Sequence, residues 1–500
     1  MTPDKAFRPA ISLIFIAILF VCQIAIRLGS ELNHDTAWFL YVAQGVLNGG
    51  ELYRDFVEVN PPLAIWLTVP IVMLNRATGL APVEAFYGVF FALTALSLLL
   101  VWRYLAKIRE MPDWTKELAL ILLAAAFLFI PASSFGQREH FLALLFLPWF
   151  ILRFARSKGA RISATESVIV GLLAAAAICL KPHAVMAPIA VEALLLLRGR
   201  NLRAVFTPEN FGATIFAVIY GLAIVTWIPL FLGEMVHFGV AAYVPYYGFD
   251  AAVIMERGVR PALVLALALV LLHFARGPMR ELSGLALAAA LGFLVAYLLQ
   301  AKGYYYQIMP AQIFAAVGGI FALTGILADR NAGEARKSPV VPAIVVSAIA
   351  LLSFSAQAYV YRGSEFTKAI SQYRLGAKSF FIASTNVFNG FPLAVRENLA
   401  WGSRFPTLWL VPYVADRWQN GPLPDDPIIA YALDAIVTDM QKFHPEVVFI
   451  DQGTSQDYIK RGTFDYLKFM NQDSRFAMIW SNYELRGQAG KFAVYVAKSP

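Results

Sequence analysis

The sequence predicts a polytopic α-helical membrane protein of about eleven transmembrane helices, followed by a C-terminal soluble α/β domain. Three observations carry that prediction. Of the 500 residues, 59% are hydrophobic and only 15% are charged, against roughly 25% charged in ordinary globular chains. Apolar runs near the length a bilayer demands, about 20 residues, recur from residue 9 to residue 360. From residue 361 onward the sequence turns charged and turn-rich. A chain so apolar cannot cover a compact surface with polar groups. That excludes a purely soluble enzyme, a disordered chain and a disulfide scaffold. Cys22 and Cys179 both lie within apolar runs and read as small core residues.

The candidate spans lie near 9–27, 82–102, 117–132, 139–152, 165–180, 183–197, 211–232, 259–275, 282–300, 305–328 and 340–360. The apolar stretch 61–75 is too short to cross and reads as a helix on the membrane surface. Every second loop is basic: Lys5 and Arg8; Arg103, Lys107, Arg109 and Lys116; Arg153, Arg156, Lys158 and Arg161; Arg198, Arg200 and Arg203; Arg276 and Arg280; Arg330, Arg336 and Lys337. Basic loops stay in the cytoplasm. The net charge of +8 is therefore a topology signal. A nucleic-acid footprint would gather on one face, so no nucleic-acid partner is expected. The expected setting is the inner (cytoplasmic) membrane, with the amino end cytoplasmic. The segments 28–81, 133–138, 181–182, 233–258, 301–304 and 361–500 then face the periplasm. Residues 1–27 have the basic start and apolar run of a signal peptide, but further spans follow directly, and an uncleaved first span is expected.

Two regions result: a transmembrane domain over 1–360, whose first outer loop 28–81 carries surface helices, and an extracytoplasmic domain over 361–500. In the latter, Ser379–Ser384, Val447–Asp451 and Phe492–Val496 read as strands. Segments near 429–443 and 457–471 show helical spacing.

The outer face holds the unusual residues. The first outer loop combines Glu31, Asp35, Asp55 and Glu58 with aromatics and a helix-like stretch, Thr36–Leu47. Its plain reading needs no chemistry: Asp35 caps that helix and Pro61–Pro62 starts the next. The short second loop brings Arg138, Glu139 and His140, which at their plainest are a self-paired cluster at the interface. Lys181 and His183 follow between two apolar runs, where a snorkelling lysine is the plain reading. Lys302 precedes Tyr304, Tyr305 and Tyr306, which fit an aromatic belt. Together, Arg138, Lys181, His183 and Lys302 break the depletion of outward cations. Ionisable groups at membrane depth face a cavity or a partner, and cations gathered at headgroup level suit a lipid-linked phosphate or pyrophosphate.

With these residues in view, the sequence resembles the GT-C superfamily of membrane glycosyltransferases, in the branch of protein O-mannosyltransferases, lipid A aminoarabinose transferases and bacterial arabinofuranosyltransferases. The carrying motifs are His34–Asp35–Thr36–Ala37–Trp38, then Gly49–Gly50–Glu51–Leu52–Tyr53–Arg54–Asp55, then Asn60–Pro61–Pro62–Leu63. The resemblance covers about 1–360. It implies a GT-C fold and an inverting transfer of sugar from a polyprenyl-phosphate donor to an acceptor hydroxyl on a glycolipid or cell-envelope polysaccharide, within membrane lipid. Asp35 would be the general base, with Glu139 a second acidic site residue. A single displacement needs one base and no covalent nucleophile. Arg138, Lys181, His183 and Lys302 would hold the donor phosphate. His34, Glu58, Asn60, Tyr304, Tyr305 and Tyr306 would contact substrate. Aminoarabinose transferases commonly carry a lysine where Asn60 stands, so phosphate binding falls to the other cations. A divalent cation is left open as cofactor, with His34 beside Asp35 as its candidate ligand.

Two other readings compete. A transporter or flippase of lipid-linked sugars would place its polar site at the midplane between paired repeats, and no repeat is visible. A polysaccharide polymerase or ligase would use a late outer loop, and 233–258 offers Glu234, His237, Tyr243, Tyr246, Tyr247, Asp250, Glu256 and Arg257. In the tail, Trp401–Gly402–Ser403–Arg404 and Trp409 offer sugar-binding surface, with ordinary core packing the favoured alternative.

Overall fold

The computed structural model describes residues 9–330, 363–418 and 420–498. In chain order the helices are α1 Pro9–Leu28, α2 His34–Leu47, α3 Leu63–Thr78, α4 Pro82–Leu105, α5 Asp113–Phe129, α6 Arg138–Ser157, α7 Ala164–Cys179, α8 Met186–Gly199, α9 Pro208–Trp227, α10 Val236–Phe238, α11 Ala251–Phe274, α12 Gly277–Gln300 and α13 Tyr305–Arg330. They distribute over two compact units. The first comprises Met1–Ser30, Glu84–Leu222 and Phe249–Tyr359; the second comprises Glu31–Val83, Ala223–Gly248 and Val360–Pro500. The division at Tyr359 and Val360 lies beside the expected 360/361, and Glu31–Val83 and Ala223–Gly248 fall in the tail's unit as well.

The first unit is the membrane part. Among the described residues, 7 helices are long and apolar enough to cross a membrane: Pro82–Leu105, Arg138–Ser157, Pro182–Gly199, Pro208–Trp227, Ala251–Phe274, Gly277–Gln300 and Tyr305–Ala328. Every predicted span between 9 and 328 falls on a helix. The count is lower than expected because α5 and α7 have only 17 and 16 residues. The apolar part of α1 is likewise short, Ser12–Leu28. The predicted span 340–360 lies outside the described residues. Burial sorts the helices: α6 is covered over 83% of its apolar stretch and α9 over 6%. A helix that is apolar all round and uncovered faces lipid.

The basic loops find partners. Arg103 Nε lies 2.6 Å from Glu166 Oε1. At the buried ends of α6 to α9, Arg153 holds Glu192 at 2.5 Å and Glu209 at 3.0 Å, and Arg156 holds Glu209 at 2.9 Å. Glu209 is wholly buried, and buried charges are paired. Gly171 of α7 faces the Glu209 carbonyl, where a Cβ would collide; small residues let membrane helices approach.

The second unit is built on a five-stranded sheet: β1 Ser379–Ala383, β2 Ala400–Trp401, β3 Val447–Asp451, β4 Tyr483–Ala489 and β5 Phe492–Ala497, in the order β2-β1-β3-β5-β4. β1 pairs parallel with β2 and β3, while β5 runs antiparallel to β3 and β4. The three predicted strands are β1, β3 and β5. Every residue of β3 is buried, as a covered parallel strand requires. The predicted helix at 429–443 is Pro427–Phe443, started by Asp426, whose side chain accepts from Ile428 N and Ile429 N. The predicted helix at 457–471 shrinks to Tyr466–Met470. Gln456 explains the difference: its side chain donates to Asp451 O and Phe464 O and accepts from Phe464 N. Side-chain bonds of this kind compete with helix.

The stretch expected as the open loop 233–258 is largely helical. Two π-helical turns, Phe231–Met235 and Gly239–Tyr243, flank α10, and α11 begins at Ala251.

Candidate functional site

In the second unit, the functional candidates gather at the start of α2. Asn33 caps the helix, its side chain accepting from Asp35 N at 3.1 Å. Asp35 is therefore a first-turn residue, and the plain reading of it as the helix cap gives way to Asn33. His34 Nε2 lies 3.6 Å from Asp35 Oδ1, and the two side chains are 24% and 22% exposed. The His34 ring sits edge-on to Phe388 at 6.1 Å.

The rest of the motif folds back on α2. Glu58 is 3% exposed. Its Oε2 accepts from Trp38 Nε1 at 2.7 Å, and its Oε1 accepts from Asn60 N at 2.8 Å and Asn60 Nδ2 at 2.5 Å. Tyr53 OH donates to Asn60 O at 2.7 Å. Gly50 leaves room for the Phe56 ring, which a Cβ there would strike. Glu58 and Asn60, named from sequence as substrate contacts, thus also close the loop on itself. Lys442 Nζ, 2.8 Å from Asp55 Oδ1, ties the loop's other acid to the tail and holds the Asp55 carboxyl below its ordinary range.

In the first unit, a second cluster forms. Glu139 is 2% exposed and pairs with Lys181. Lys181 Nζ also donates to Gln300 Oε1 at 3.1 Å and lies 5.4 Å from the centre of the Tyr306 ring. Tyr306 stacks on Tyr304 at 5.5 Å. Lys302 O accepts from Phe249 N at 3.0 Å. Arg257 lies over both Phe249, at 3.9 Å, and Tyr305, at 4.3 Å, and donates to Gly303 O. Arg138 and His183 are half-buried. Lys181, Glu139 and Tyr306 are therefore brought together, with Tyr304 stacked behind.

Two further buried polar residues of the first unit lie outside the sequence candidates. Arg27, 2% exposed at the end of α1, donates to Gln23 Oε1 and to Ala132 O and covers the Phe135 ring at 4.7 Å. It lies at the end of the first apolar run, on the side the charge rule assigns to the outer face, so that rule would have found it. Gln137, 2% exposed, buries both its amide oxygen and nitrogen with no hydrogen-bond partner among the described residues.

In the segment 233–258, Glu234, His237, Asp250 and Glu256 are exposed. Tyr246 OH donates to Asp416, Tyr247 OH donates to Thr385 O, and Tyr243 stacks on Tyr247. The tail residues Trp401 and Trp409 are 3% and 2% exposed, so the pair forms core as favoured. Among the described residues no three His, Cys, Asp or Glu side chains gather as for a metal ion. His34 and Asp35 alone supply two donors, fewer than the three or so of a zinc site.

No family model and no curated protein matches this chain. Solved structures do. The aminoarabinose transferase ArnT from Cupriavidus metallidurans, bound to undecaprenyl phosphate, matches with a TM-score of 0.57 at 12% identity, covering 99% of this chain and 100% of that one. The apo state of the same transferase matches with a TM-score of 0.55 at 12% identity, covering 98% of each chain. The likeness covers nearly the whole of both chains, and at this identity it shows the fold alone: that of ArnT.

Proposed function

We propose that this chain is an inverting glycosyltransferase. It moves a sugar from a polyprenyl-phosphate donor to an acceptor hydroxyl on a glycolipid or envelope polysaccharide at the outer face of the inner membrane. The observation that carries the reading is the partly buried carboxylate of Asp35, 22% exposed, in the first turn of α2, on a chain with the fold of a transferase solved with undecaprenyl phosphate.

In this reading Asp35 accepts the proton of the acceptor hydroxyl as the new bond to the sugar C1 forms. The bond from C1 to the phosphate oxygen breaks on the opposite face, and the electron pair leaves with the lipid phosphate. General-base help of this kind contributes about 10²–10⁴-fold. Lys181 is supported as a phosphate-holding cation by its setting. Glu139 and Gln300 fix its ammonium while the Tyr306 face lies alongside, so it is oriented before substrate arrives. Arg138, His183 and Lys302 are the further cations of the same role. Glu139 acts through Lys181, and Gln137 offers buried amide groups that a ligand would satisfy. Tyr304 and Tyr306 supply a stacked aromatic wall for sugar or prenyl chain. His34 is a candidate partner for a divalent ion; no step above depends on one.

The test uses purified protein in lipid vesicles with a panel of undecaprenyl-phosphate-linked sugars and an extracted lipid acceptor fraction. Wild type is expected to transfer at least one sugar. Asp35→Asn is expected to lose transfer while still inserting and binding undecaprenyl phosphate. Normal turnover by Asp35→Asn ends this mechanism, and movement of the lipid-linked sugar across the bilayer without transfer favours a flippase.

A further inference from the structure

The tail domain has no role in the chemistry above, yet it grips the helix that carries Asp35. Six of the seven residues from Thr36 to Ala43 other than Tyr41 are 5% exposed or less, so α2 is embedded along most of its surface. The tail supplies much of that cover. In β2, Ala400 N and Gly402 N donate to carbonyls of the strand beside them, Lys378 O and Phe380 O, each at 2.8 Å. Trp401 N alternates with them and points off the edge of the sheet. Tyr41 OH accepts from it at 3.0 Å. An edge strand's outward donors must be covered or they recruit other chains; here α2 does the covering.

The Phe391 ring completes the grip. It stands edge-on to Trp38 at 5.2 Å, to Tyr41 at 5.6 Å and to Trp401 at 5.5 Å, so one tail side chain wedges two residues of α2 against β2. Phe391 is fully buried. Just ahead of the cap, Glu31 Oε1 lies 3.1 Å from Arg396 Nη1, so the entry to α2 is pinned to the same domain. Trp38 lies one turn after Asp35 and Tyr41 two turns after it. A rigid helix transmits any shift at Tyr41 to the carboxylate about 9 Å away along its axis.

We propose that the α/β tail is the positioning platform of Asp35, acting through the Tyr41–Trp401 hydrogen bond and the Phe391 wedge. Tyr41, on the helix, and Phe391, in the tail, are positioning residues: they join helix to tail and act on Asp35 only through α2. The inference rests on the reading of Asp35 as the base. Its consequence is that loosening this grip lowers turnover without weakening lipid-phosphate binding, because proton transfer needs hydrogen-bond geometry while phosphate is held by other residues.

The experiment compares full-length Tyr41→Phe and Phe391→Leu with a control, Phe476→Leu. Phe476 is equally buried in the tail but stacks on Trp480. Three quantities are read: amide exchange over residues 34–41, transfer rate, and affinity for undecaprenyl phosphate. Tyr41→Phe and Phe391→Leu are expected to raise exchange over 34–41 and to lower turnover about tenfold, as loss of alignment does, with lipid affinity unchanged. The control is expected to lower the unfolding temperature and leave exchange over 34–41 and turnover as in wild type. Unchanged exchange or turnover in both test variants overturns the proposal, and so does a control that behaves like them. If Asp35→Asn retains turnover, the reading of the base fails instead; the exchange arm then still decides whether the tail holds α2.

Discussion

Trp38 Nε1 donates to Glu58 Oε2 across 2.7 Å of buried interior, joining the helix of Asp35 to the segment that leads into Pro61–Pro62. The other Glu58 oxygen takes both donors of Asn60. Hydrogen bonds to a charged partner contribute about 1.5–3 kcal/mol each, and stranded buried donors cost about 1–3 kcal/mol. Glu58→Ala is therefore expected to destabilise the fold by on the order of 3 kcal/mol. Thermal unfolding in detergent checks this. An unfolding temperature equal to wild type would remove Glu58 from its structural role.

Lys181 and Glu139 form the matching pair in the membrane unit. Removing one partner of a buried ion pair costs about 3–5 kcal/mol, because the other charge is left uncompensated. Lys181→Met is expected to be markedly less stable than wild type, and Lys181→Met with Glu139→Gln to regain most of that loss. Transfer is expected to stay low in both if Lys181 holds phosphate. A double variant with recovered stability and normal transfer would confine the pair to structure.

Asp55 gives a pH dependence with a definite sign. The Lys442 ammonium holds its carboxyl below the ordinary value of 3.8. A carboxyl lowered in the folded state contributes stability above the unfolded value, and that contribution is lost as pH falls through the folded one. Both side chains are partly exposed, so the effect is small, within about 0–1 kcal/mol. Amide protection over 51–57 is expected to fall as pH drops below about 4. Asp55→Asn is expected to flatten that dependence. An unaltered acid profile in the variant would mean another group titrates there.

Glu209, with Glu192, balances Arg153 and Arg156 at the buried ends of α6 to α9. Glu209→Ala leaves two cations facing an apolar interior with one fewer anion, and a loss of about 3–5 kcal/mol is expected. Reduced yield of folded protein and a lowered unfolding temperature are the readouts. Restoration by Arg156→Met in the same chain would show that charge, and not side-chain volume, is at issue.

Parts of the site were legible because they follow local rules. Asp35 and the glycine and proline marks sit in one loop, where order along the chain is enough to single them out. Lys181, Arg138, His183 and Lys302 stood out because cations are depleted outside the membrane. Arg27, at the end of the first span, obeys the same rule. That Lys181 pairs with Glu139 was not legible, because Lys181 reaches it from another segment.

By itself the sequence determined the membrane class, the placement of the spans and three of the five strands, because hydropathy and periodicity are properties of short windows. It also marked the acid at the start of α2. Tertiary structure alone decided that Asn33 takes the cap and that Glu58 spends its oxygens on Trp38 and Asn60. It decided too that Gln456 unwinds a predicted helix, and that the first outer loop folds with the tail through Tyr41, Phe391 and Trp401. Each of these is a choice among partners far apart in the chain, made by burial and hydrogen-bond satisfaction, and no window of sequence contains both sides of the choice.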